Sequence, residues 1–357
     1  MTTSRTRDPF PSLRGAQRRG NLPAATGRLL RFARNDGLSL TDLTPARDLI
    51  DRFAADLDPL VPRDSTLGIA VSGGPDSLAL LLLAAAARPG RVEAATVDHG
   101  LRRESKQEAR FVASVCAGLG VTHHVLHAKV TPGASLQAQA RTARYRVLGA
   151  WAIECDLGAV ASAHHADDQA ETLLMRLARG AGLSGLAATR RRRVLEPGVM
   201  LVRPLLDWRR AELGAIVAAA KLTAVDDPTN RDPAHDRTRF RGLLAESDWA
   251  DPERLASSAR WLADADEAIE WAMTGLVAAR LSQDDLGIAI DPAGLPRELQ
   301  RRLLLAAFDR YQAPRPRGPD LDRTLAALIA GKKATLSGLK LVGGETWRLE
   351  KETKRRR

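Results

Sequence analysis

Residues 67–83 have the sequence LGIAVSGGPDSLALLLL, and this stretch decides how the chain is organised. A short apolar run of the β type stops at Ser72-Gly73-Gly74-Pro75-Asp76-Ser77, and an apolar helical run follows directly. Two adjacent glycines and a proline are typical of a tight turn between such runs. The stretch therefore predicts a strand, a loop and a helix.

The loop has the chemistry of a phosphate-binding site. Gly73 and Gly74 allow backbone conformations in which successive N–H groups converge on an anion, and the following helix adds the positive end of its dipole. The carboxylate of Asp76 can face phosphates when a cation such as Mg²⁺ lies between them. The loop matches neither G-x-x-x-x-G-K-S/T nor G-x-G-x-x-G. A plain Gly-Gly turn with Ser and Asp as helix caps explains the same six residues, so both interpretations stay open on this motif alone.

Length and composition are those of a soluble globular protein that is long enough for two domains. The chain has 357 residues, of which 44% are hydrophobic and 27% are charged. Its longest apolar run, residues 78–87, is too short to span a bilayer. Cys116 and Cys155 lie far apart, which gives no support to a disulfide framework or a cysteine metal cluster. We therefore expect a cytoplasmic protein with no membrane segment.

The net charge of +11 suggests a nucleic-acid partner, but the charge is concentrated at the two ends of the chain. Residues 1–40 carry a net charge of +6 and residues 351–357 carry +4, which leaves about +1 for everything between them. A surface for RNA on the folded body must therefore come from local clusters of basic residues. Residues 190–193, four consecutive arginines, form one such cluster.

Residues 1–40 have no sustained apolar period and are rich in Arg, Gly and Pro, which predicts a disordered basic extension. A basic RNA-contacting arm, an Arg-rich transit peptide and sequence upstream of the true start all fit this composition. Residues 11–37 resemble translated bacterial intergenic repeats, which favours an over-extended start.

The segments that follow alternate between helical and β-like patterns. A helix is predicted over 44–57, ahead of the strand, loop and helix that begin at residue 67. Strands separated by helices of this length form a parallel sheet covered on both faces, which is a doubly wound α/β fold. Ligands of such sheets bind beyond the carboxyl ends of the strands. The predicted segments are strands over 92–97, 121–130 and 157–163, and helices over 104–119, 136–155 and 167–177.

A carboxylate-rich motif, AHHADDQAET, begins at residue 163 as the strand over 157–163 ends. Asp168 and Glu171 are three residues apart and share one helical face, where they can hold Mg²⁺ or the ammonium group of an amine. His164 and His165 are adjacent, so the spacing of a helical zinc motif is absent. Capping by aspartates and a capping box through Glu171 explain the same spacing equally well.

Two further motifs carry charged or aromatic residues. DHGLR, residues 98–102, follows the strand over 92–97, where a simple polar turn explains it equally well. In RTARYRVL, residues 141–148, arginines that include Arg144 flank Tyr145 on a helix. They can contact phosphates or a base, although a solvated basic face fits the pattern as well.

The motifs resemble those of a known family. SGGPDS after a strand resembles the pyrophosphate-loop signature of the ATP-pyrophosphatase (N-type) superfamily, whose sheet is of the adenine nucleotide alpha hydrolase-like kind. The ordered set narrows this resemblance to the tRNA(Ile)-lysidine synthetase family, from which Thr238 departs because the family usually has asparagine there. The set covers residues 67–241 and consists of SGGPDS, VDHGLR, RTARYRVL, AHHADDQAET, RGAGLSGL, RPLLDWRRAEL and DDPTNRDPAHDRTRFR.

The resemblance implies a tRNA-modifying ligase. ATP would adenylate the C2 oxygen of the wobble cytidine, position 34, in the isoleucine tRNA with a CAU anticodon. The ε-amine of free L-lysine would then displace AMP to give lysidine. A homodimer is compatible with this assignment. The implied roles are ATP phosphate binding by Ser72, Gly73, Gly74, Pro75, Asp76 and Ser77, Mg²⁺ binding by Asp76, lysine or metal binding by Asp168 and Glu171, proton acceptance by His165, and tRNA binding by Arg144, Arg203 and Arg241.

Beyond residue 241 the pattern changes to helices rich in Ala and Arg. Long helices are predicted over 252–281 and 296–311, and Trp261 and Trp271 are expected on a packing stripe of the first. A Pro-rich linker, APRPRGP, then leads to a small helix and a strand-like tail. The predicted divisions are a basic extension over 1–40, an ATP-pyrophosphatase domain over 41–245, a helical tRNA-contacting domain over 246–312 and a small segment over 313–357.

Three alternatives stay open. A tRNA thiolase of the same superfamily resembles the first half, but such cytidine thiolases carry C-x-x-C pairs for an iron–sulfur cluster, which this sequence lacks. An amidating enzyme would need a catalytic cysteine domain for glutamine, and none is recognised. An RNA-binding relative that has lost catalysis is disfavoured by Asp76 and the intact loop.

Overall fold

A computed structural model describes residues 42–100, 105–129, 136–225 and 236–352 of the chain. The predictions for residues 1–40 lie outside these residues. Residues 226–235, which make up most of the DDPTNRDPAHDRTRFR motif, also lie outside the described residues.

Six strands form the first sheet, and the strand-loop-helix of the opening motif lies at its centre. The strands are β1 (Leu67–Ala70), β2 (Val92–Asp98), β3 (Thr122–His127), β4 (Ala159–Ala161), β5 (Arg192–Glu196) and β6 (Val199–Val202). Their order across the sheet is β3-β2-β1-β4-β6-β5. All neighbours are parallel except β5 and β6, which form an antiparallel pair at one edge.

Helices cover both faces of this sheet, as the alternating pattern predicts. Alternate residues of β4 show the two layers, because Ala159 and Ala161 pack into one core while Val160 packs into the other. The first core includes Phe53, and the second includes Trp151. The helices of this part are α1 (Arg47–Leu57), α2 (Pro75–Ala87), α3 (Ser105–Gly118), α4 (Leu136–Glu154), α5 (Ala166–Leu177), α6 (Leu183–Leu186), α7 (Arg210–Ala219) and α8 (Asp236–Glu246).

The helix after the loop, α2, is apolar on all sides because it is buried on all sides. Residues 78–84, LALLLLA, are at most 1% exposed. They lie between the sheet, α1 and α7. No helix in the described part of the chain is long and apolar enough to cross a bilayer.

The predicted strand over 157–163 is shorter in the structure, where β4 contains only Ala159–Ala161. Leu157 is buried but belongs to the chain reversal after α4, because its N–H donates to the carbonyl of Ala152. Asp156 has a positive φ of 54° in the same reversal. Hydrophobicity could not separate this buried turn residue from a strand residue.

The C-terminal part combines helices with a second sheet. Its helices are α9 (Pro252–Arg280), α10 (Arg297–Arg310) and α11 (Gly318–Ile329). Its antiparallel sheet has the order β7-β8-β11-β10-β9. The strands are β7 (Leu281–Asp284), β8 (Gly287–Ile290), β9 (Lys333–Leu336), β10 (Leu339–Val342) and β11 (Trp347–Lys351).

One hydrophobic core holds this C-terminal part together. Phe308 of α10, Leu325 of α11 and Trp347 of β11 are at most 1% exposed and belong to the same cluster. The core therefore crosses residue 313, where the sequence suggested a boundary. The division into domains stays a prediction.

The expectation that Trp261 and Trp271 pack on a stripe of α9 is wrong. Their exposed fractions are 66% and 81%. The buried face of α9 is made instead by small residues such as Ala256 and Ala259, which lets this helix lie close to α5. The prediction considered the spacing of the large residues, whereas α9 contacts α5 through its small residues.

A buried ionic cluster at Asp266 joins α9 to the six-stranded-sheet part of the chain. Asp266 is 2% exposed, and its carboxylate pairs with the guanidinium groups of Arg190 and Arg302. The hydroxyl of Ser184 donates to the same carboxylate at 2.6 Å. Arg190 belongs to the run of four arginines that suggested an RNA surface, and Arg191 of that run pairs with Asp207. These two arginines serve internal contacts.

We expect Asp266→Ala to destabilise the protein by about 1–3 kcal/mol, because Arg190 and the Ser184 hydroxyl lose their buried partner, whereas Arg302 keeps Glu270 and Glu298. Urea unfolding followed by tryptophan fluorescence measures the change. Asp264→Ala is the matched control, since Asp264 is exposed on the same helix. Equal unfolding midpoints for the two variants would contradict the role given to Asp266.

Candidate active site

The loop between β1 and α2 is a fixed turn at the start of a helix. Gly73 has a φ of +85°, and a side chain there would also contact Val225 at 3.1 Å. The Ser77 hydroxyl accepts from the Ser72 N–H at 3.1 Å and donates to the Gly74 carbonyl at 3.0 Å. Pro75 is the first residue of α2, where its missing N–H costs no hydrogen bond. The loop thus presents the N-terminus of a buried helix, which is a favourable place for an anion.

His165 brings carboxylates from two helices together at the carboxyl end of β4. Its side chain is fully buried. Its Nε2 atom lies 3.5 Å from Asp76 Oδ2 and 3.5 Å from Asp168 Oδ2, and its Nδ1 atom lies 3.5 Å from Asp167 Oδ2. Asp76 comes from the phosphate loop and the other two from the start of α5. The structure therefore places three of the predicted site residues, Asp76, His165 and Asp168, side by side.

The carboxylates determine the charge of His165. Burial alone would lower its pKa, but Asp167, Asp76 and Asp168 raise the pKa of this imidazole to about 9. In return, His165 helps to lower the pKa of Asp167 and of Asp168 against the effect of their burial. At neutral pH His165 is therefore an imidazolium with no lone pair to offer. The predicted role of His165 as proton acceptor stays a prediction.

His164, the next residue, has the opposite charge state. Burial lowers the pKa of His164 to about 3, and nearby arginines add to this effect although Asp168 opposes it. A hydrogen bond of 3.0 Å joins its Nδ1 atom to the Ser162 hydroxyl. The two adjacent histidines thus differ in charge because they face different surroundings.

The caps of α5 are assigned differently from the sequence prediction. The helix begins at Ala166 with His165 as its N-cap, so the third helical residue is Asp168. Asp168 Oδ2 accepts from the His165 N–H at 3.3 Å, and Asp167 Oδ2 accepts from the Arg210 N–H at 2.8 Å. Glu171 is too far along the helix to form the capping box that one interpretation gave it.

Glu171 is instead the centre of a buried arginine cluster. It is 1% exposed, and Arg241, Arg237 and Arg210 approach its carboxylate at 2.8, 3.2 and 3.8 Å. The cluster joins α5 to α7 and α8. Asp168 and Glu171 therefore serve different partners in this structure, and a lysine or metal ligand at Glu171 would have to displace an arginine.

The three arginines predicted to bind tRNA lie in different surroundings. Arg241 pairs with Glu171, and Arg203 is 2% exposed with its Nη1 atom donating to the Arg190 carbonyl at 2.5 Å. A direct tRNA contact is not favoured by the burial of Arg203. Arg144 is exposed on α4 and lies close enough to His99 to help burial lower the pKa of that imidazole.

Tyr145 lies within a group of arginines. The guanidinium of Arg193 lies 4.5 Å from the ring centroid and that of Arg141 lies 5.1 Å from it. Burial would raise the pKa of the phenol, but Arg141, Arg203 and Arg144 lower it. The sequence suggested that the Tyr145 ring stacks on a base, but in the structure arginine side chains already pack against this ring.

Comparison with known proteins places these features in a family. A family model described as a PP-loop domain matches residues 46–247. A tRNA(Ile)-lysidine synthase from Zymomonas mobilis is 46% identical over 301 residues, which cover 83% of this chain and 91% of the relative. One from Novosphingobium aromaticivorans is 47% identical over 298 residues, which cover 81% of this chain and 89% of the relative.

The chain belongs to the tRNA(Ile)-lysidine synthase family. This is the family, also called synthetase, that the ordered motifs predicted. Among solved structures, the U34-tRNA thiolase NcsA from Methanococcus maripaludis matches with a TM-score of 0.50 at 16% identity, covering 60% of this chain and 79% of that one. This likeness concerns the fold alone, and it agrees with the predicted doubly wound α/β class.

The sequence analysis of this lysidine synthase family member missed two residues that support the candidate site, Gln169 and Val225. Gln169 joins α5 to the segment before β5, because its amide donates to the Thr189 carbonyl at 2.9 Å and accepts from the Thr189 N–H at 2.8 Å. Val225 closes the phosphate loop through a 3.0 Å hydrogen bond to the Gly73 carbonyl. Gln169 lies inside the AHHADDQAET motif, which was the available signal. Val225 gave none, because its contact depends on a distant part of the fold.

The residues around the loop fit a magnesium ion. Asp76 Oδ1 is buried and has no hydrogen-bond partner among the described residues. Carboxylate oxygens are the ligands that Mg²⁺ prefers, and Asp168 approaches the same imidazole nitrogen as Asp76. Asp76 and Asp168 could therefore share a cation with phosphate oxygens at the loop.

We expect the two adjacent histidines to show opposite charge states at pH 7. Nitrogen NMR of histidine-labelled protein should show an imidazolium for His165 up to about pH 9 and a neutral ring for His164. Because the pKa of His165 is raised on folding, its contribution to stability is complete below about pH 6.5 and is lost as the pH rises through about 9. His164→Gln and His165→Gln assign the two signals. A neutral His165 at pH 7 would contradict the charge cluster.

Proposed function

We propose that this protein joins free lysine to the wobble cytidine, position 34, of the isoleucine tRNA with a CAU anticodon, using ATP. The convergence of Asp76 and Asp168 beside the phosphate loop supports this assignment most directly. The same residues lie in motifs of the lysidine synthase family, to which the chain belongs over most of its length. The product is lysidine, with AMP and pyrophosphate released.

The phosphate loop suits the first step, in which the cytosine O2 attacks the α-phosphorus of ATP and pyrophosphate leaves. A cytosine carbonyl oxygen is a poor leaving group until it is adenylated, so this step must precede attack by an amine. The N-terminus of α2 and residues 72–77 would hold the phosphates of ATP. Mg²⁺, held by Asp76 with Asp168, would offset negative charge on the departing pyrophosphate when bound.

The second step requires an acidic pocket for lysine. The ε-amine attacks C2 of the adenylated cytosine, and the bond from C2 to the adenylate oxygen breaks to release AMP. Asp168 is ionised because its pKa is lowered, so it can attract the lysine side chain. Glu171 stays a candidate for the same role if one of its arginines moves. In the metal-free protein, the positive charge of His165 suits it to hold the carboxylates of Asp76 and Asp168 in place. Acceptance by His165 of the proton that the lysine amine loses stays a prediction.

The tRNA surface is best supported at Arg144. This arginine is exposed on α4 beside the carboxyl end of β2. Among the described residues, neither Arg141 nor Arg144 forms an ion pair with a carboxylate, so both remain available to phosphate groups. Arg241 and Arg203 remain predicted contacts that would need a rearrangement. We infer a cytoplasmic enzyme, and a homodimer remains open to test.

A thiolase activity is the less favoured alternative. The sequence holds only Cys116 and Cys155, and they form no C-x-x-C pair that could hold an iron–sulfur cluster. The likeness to NcsA lies in the shared fold.

Pyrophosphate release tests the proposed function directly. The protein is incubated with ATP, lysine and the isoleucine tRNA with a CAU anticodon, and the tRNA is digested and examined by mass spectrometry. We expect lysidine at position 34 only when lysine is present. A tRNA with uridine at that position should give neither product nor pyrophosphate. Modification that needs no lysine, or that ignores the wobble base, would overturn the assignment.

We expect Asp76→Asn to lower the rate of tRNA-dependent pyrophosphate release by at least about a hundredfold, because it removes the charge proposed to hold Mg²⁺ beside the phosphates. Binding of tRNA, measured by gel shift, should change little. Asp64→Asn is the matched control, since Asp64 is exposed in the turn before β1. Full activity of Asp76→Asn would remove Asp76 from the mechanism.

A further inference from the structure

Three potential metal ligands of different chemistry meet on the first sheet, outside the candidate active site. They are Glu93 of β2, His124 of β3 and Cys155, which follows the last residue of α4. One ligand atom from each lies within 4.8 Å of the others. His124 Nε2 and Glu93 Oε2 are 3.0 Å apart.

The fold brings these residues together through strand register and a chain reversal. In the parallel pair, Ala95 lies opposite His124 and Glu93 lies opposite Thr122, so Glu93 and His124 point to the same face of the sheet. Ala95 packs on that face in the core that includes Trp151 of α4. The reversal after α4 then places Cys155 beside both side chains.

Trp151 supplies a second observation at this cluster. It is 3% exposed, and its indole nitrogen is buried without a hydrogen-bond partner among the described residues. The His124 ring packs against the indole with a centroid distance of 5.7 Å. Burial and Glu93 raise the pKa of the Cys155 thiol to about 11, and the nearby Trp151 indole opposes this rise only in part. A thiolate sulfur would give this buried N–H an acceptor.

The cluster is separate from the ATP site. Glu93 is the second residue of β2, whereas Asp98 ends that strand at the edge of the sheet where the loop of residues 72–77 follows the parallel strand β1. Five residues of extended strand span about 16 Å. Changes at this cluster should therefore leave the loop of residues 72–77 in place.

We propose that Glu93, His124 and Cys155 bind one divalent cation of the zinc class, with water as the fourth ligand. Sulfur, imidazole nitrogen and carboxylate oxygen together suit Zn²⁺ or Co²⁺, whereas Mg²⁺ and Ca²⁺ prefer oxygen ligands alone. The thiolate and the carboxylate would balance the two positive charges, and the thiol proton would leave to solvent. The ion would tie β3, an edge strand, and the end of α4 to β2.

Hydrogen bonding alone offers a metal-free explanation of the same cluster. Glu93 can accept from His124 and from the protonated thiol of Cys155, with no ion present. The two explanations differ in what the protein binds, so a titration separates them.

Titration of the metal-free full-length protein with Co²⁺ tests the proposal. We expect a near-ultraviolet sulfur-to-cobalt charge-transfer band that saturates at one equivalent of Co²⁺ per chain and that Zn²⁺ abolishes by competition. Cys155→Ser should lose the band and weaken Co²⁺ binding by at least about tenfold. Cys116→Ala and His123→Gln are the matched controls, because Cys116 is buried in another core and His123 bonds to Thr96. Both controls should keep the band.

Zinc-dependent stability provides the second readout. Added Zn²⁺ should raise the melting temperature of the wild type and of both controls, and leave that of Cys155→Ser unchanged. If Cys155→Ser does not fold, Glu93→Gln replaces it in both measurements. Absence of a charge-transfer band, or equal Co²⁺ binding by the wild type and Cys155→Ser, would overturn the proposal. Pyrophosphate release is not part of this test, so its outcome is independent of the proposed function.

Discussion

The buried imidazolium of His165 is the interaction on which the candidate site depends. A cation without exposure to water must be compensated by nearby anions, and here Asp76, Asp167 and Asp168 provide them. Asp76 belongs to the phosphate loop, whereas the two other aspartates begin α5, and Asp167 accepts from the Arg210 N–H at the start of α7. One charge therefore links the loop to two further helices and orients the carboxylates of the candidate site.

Much of the first sheet could be predicted from the sequence because its signals are local. Turn residues at 72–77 stand between two apolar runs, which marks a strand, a loop and a helix. Strand-like and helical segments then alternate along the chain, which is typical of a parallel sheet. The errors lie where tertiary packing overrides a local pattern. Leu157 is buried in a turn, and Trp261 and Trp271 are exposed because α9 packs through small side chains. Hydrophobicity alone does not distinguish these cases.

The candidate site was predictable in its members but not in its charges. Spacing placed Asp168 and Glu171 on one face of α5, yet Asp168 meets Asp76 of α2 at the His165 imidazole and Glu171 pairs with Arg241 of α8, and both helices are distant in sequence. The charge of His165 follows from the summed effect of three carboxylates, and that of its neighbour His164 follows largely from burial. Two adjacent identical residues cannot be separated by any sequence pattern, so their difference arises only when the fold is complete.

The arginines of the folded body show why a net charge is a poor guide to a binding surface. Arg190, Arg191 and Arg241 pair with carboxylates, and Arg203 donates to a backbone carbonyl, so most of their charge is used inside the protein. The run of four arginines looked like an RNA surface, but two of its members hold the protein together. A phosphate that recruited Arg190 or Arg241 would take a partner from the buried carboxylate of Asp266 or Glu171, which is unfavourable. Arg144 is exposed and has no carboxylate partner within the described part of the chain, so it bears no such cost. For this reason the tRNA contact is better sought at Arg144 of α4 and at the exposed Arg192 and Arg193 than at Arg190 and Arg191.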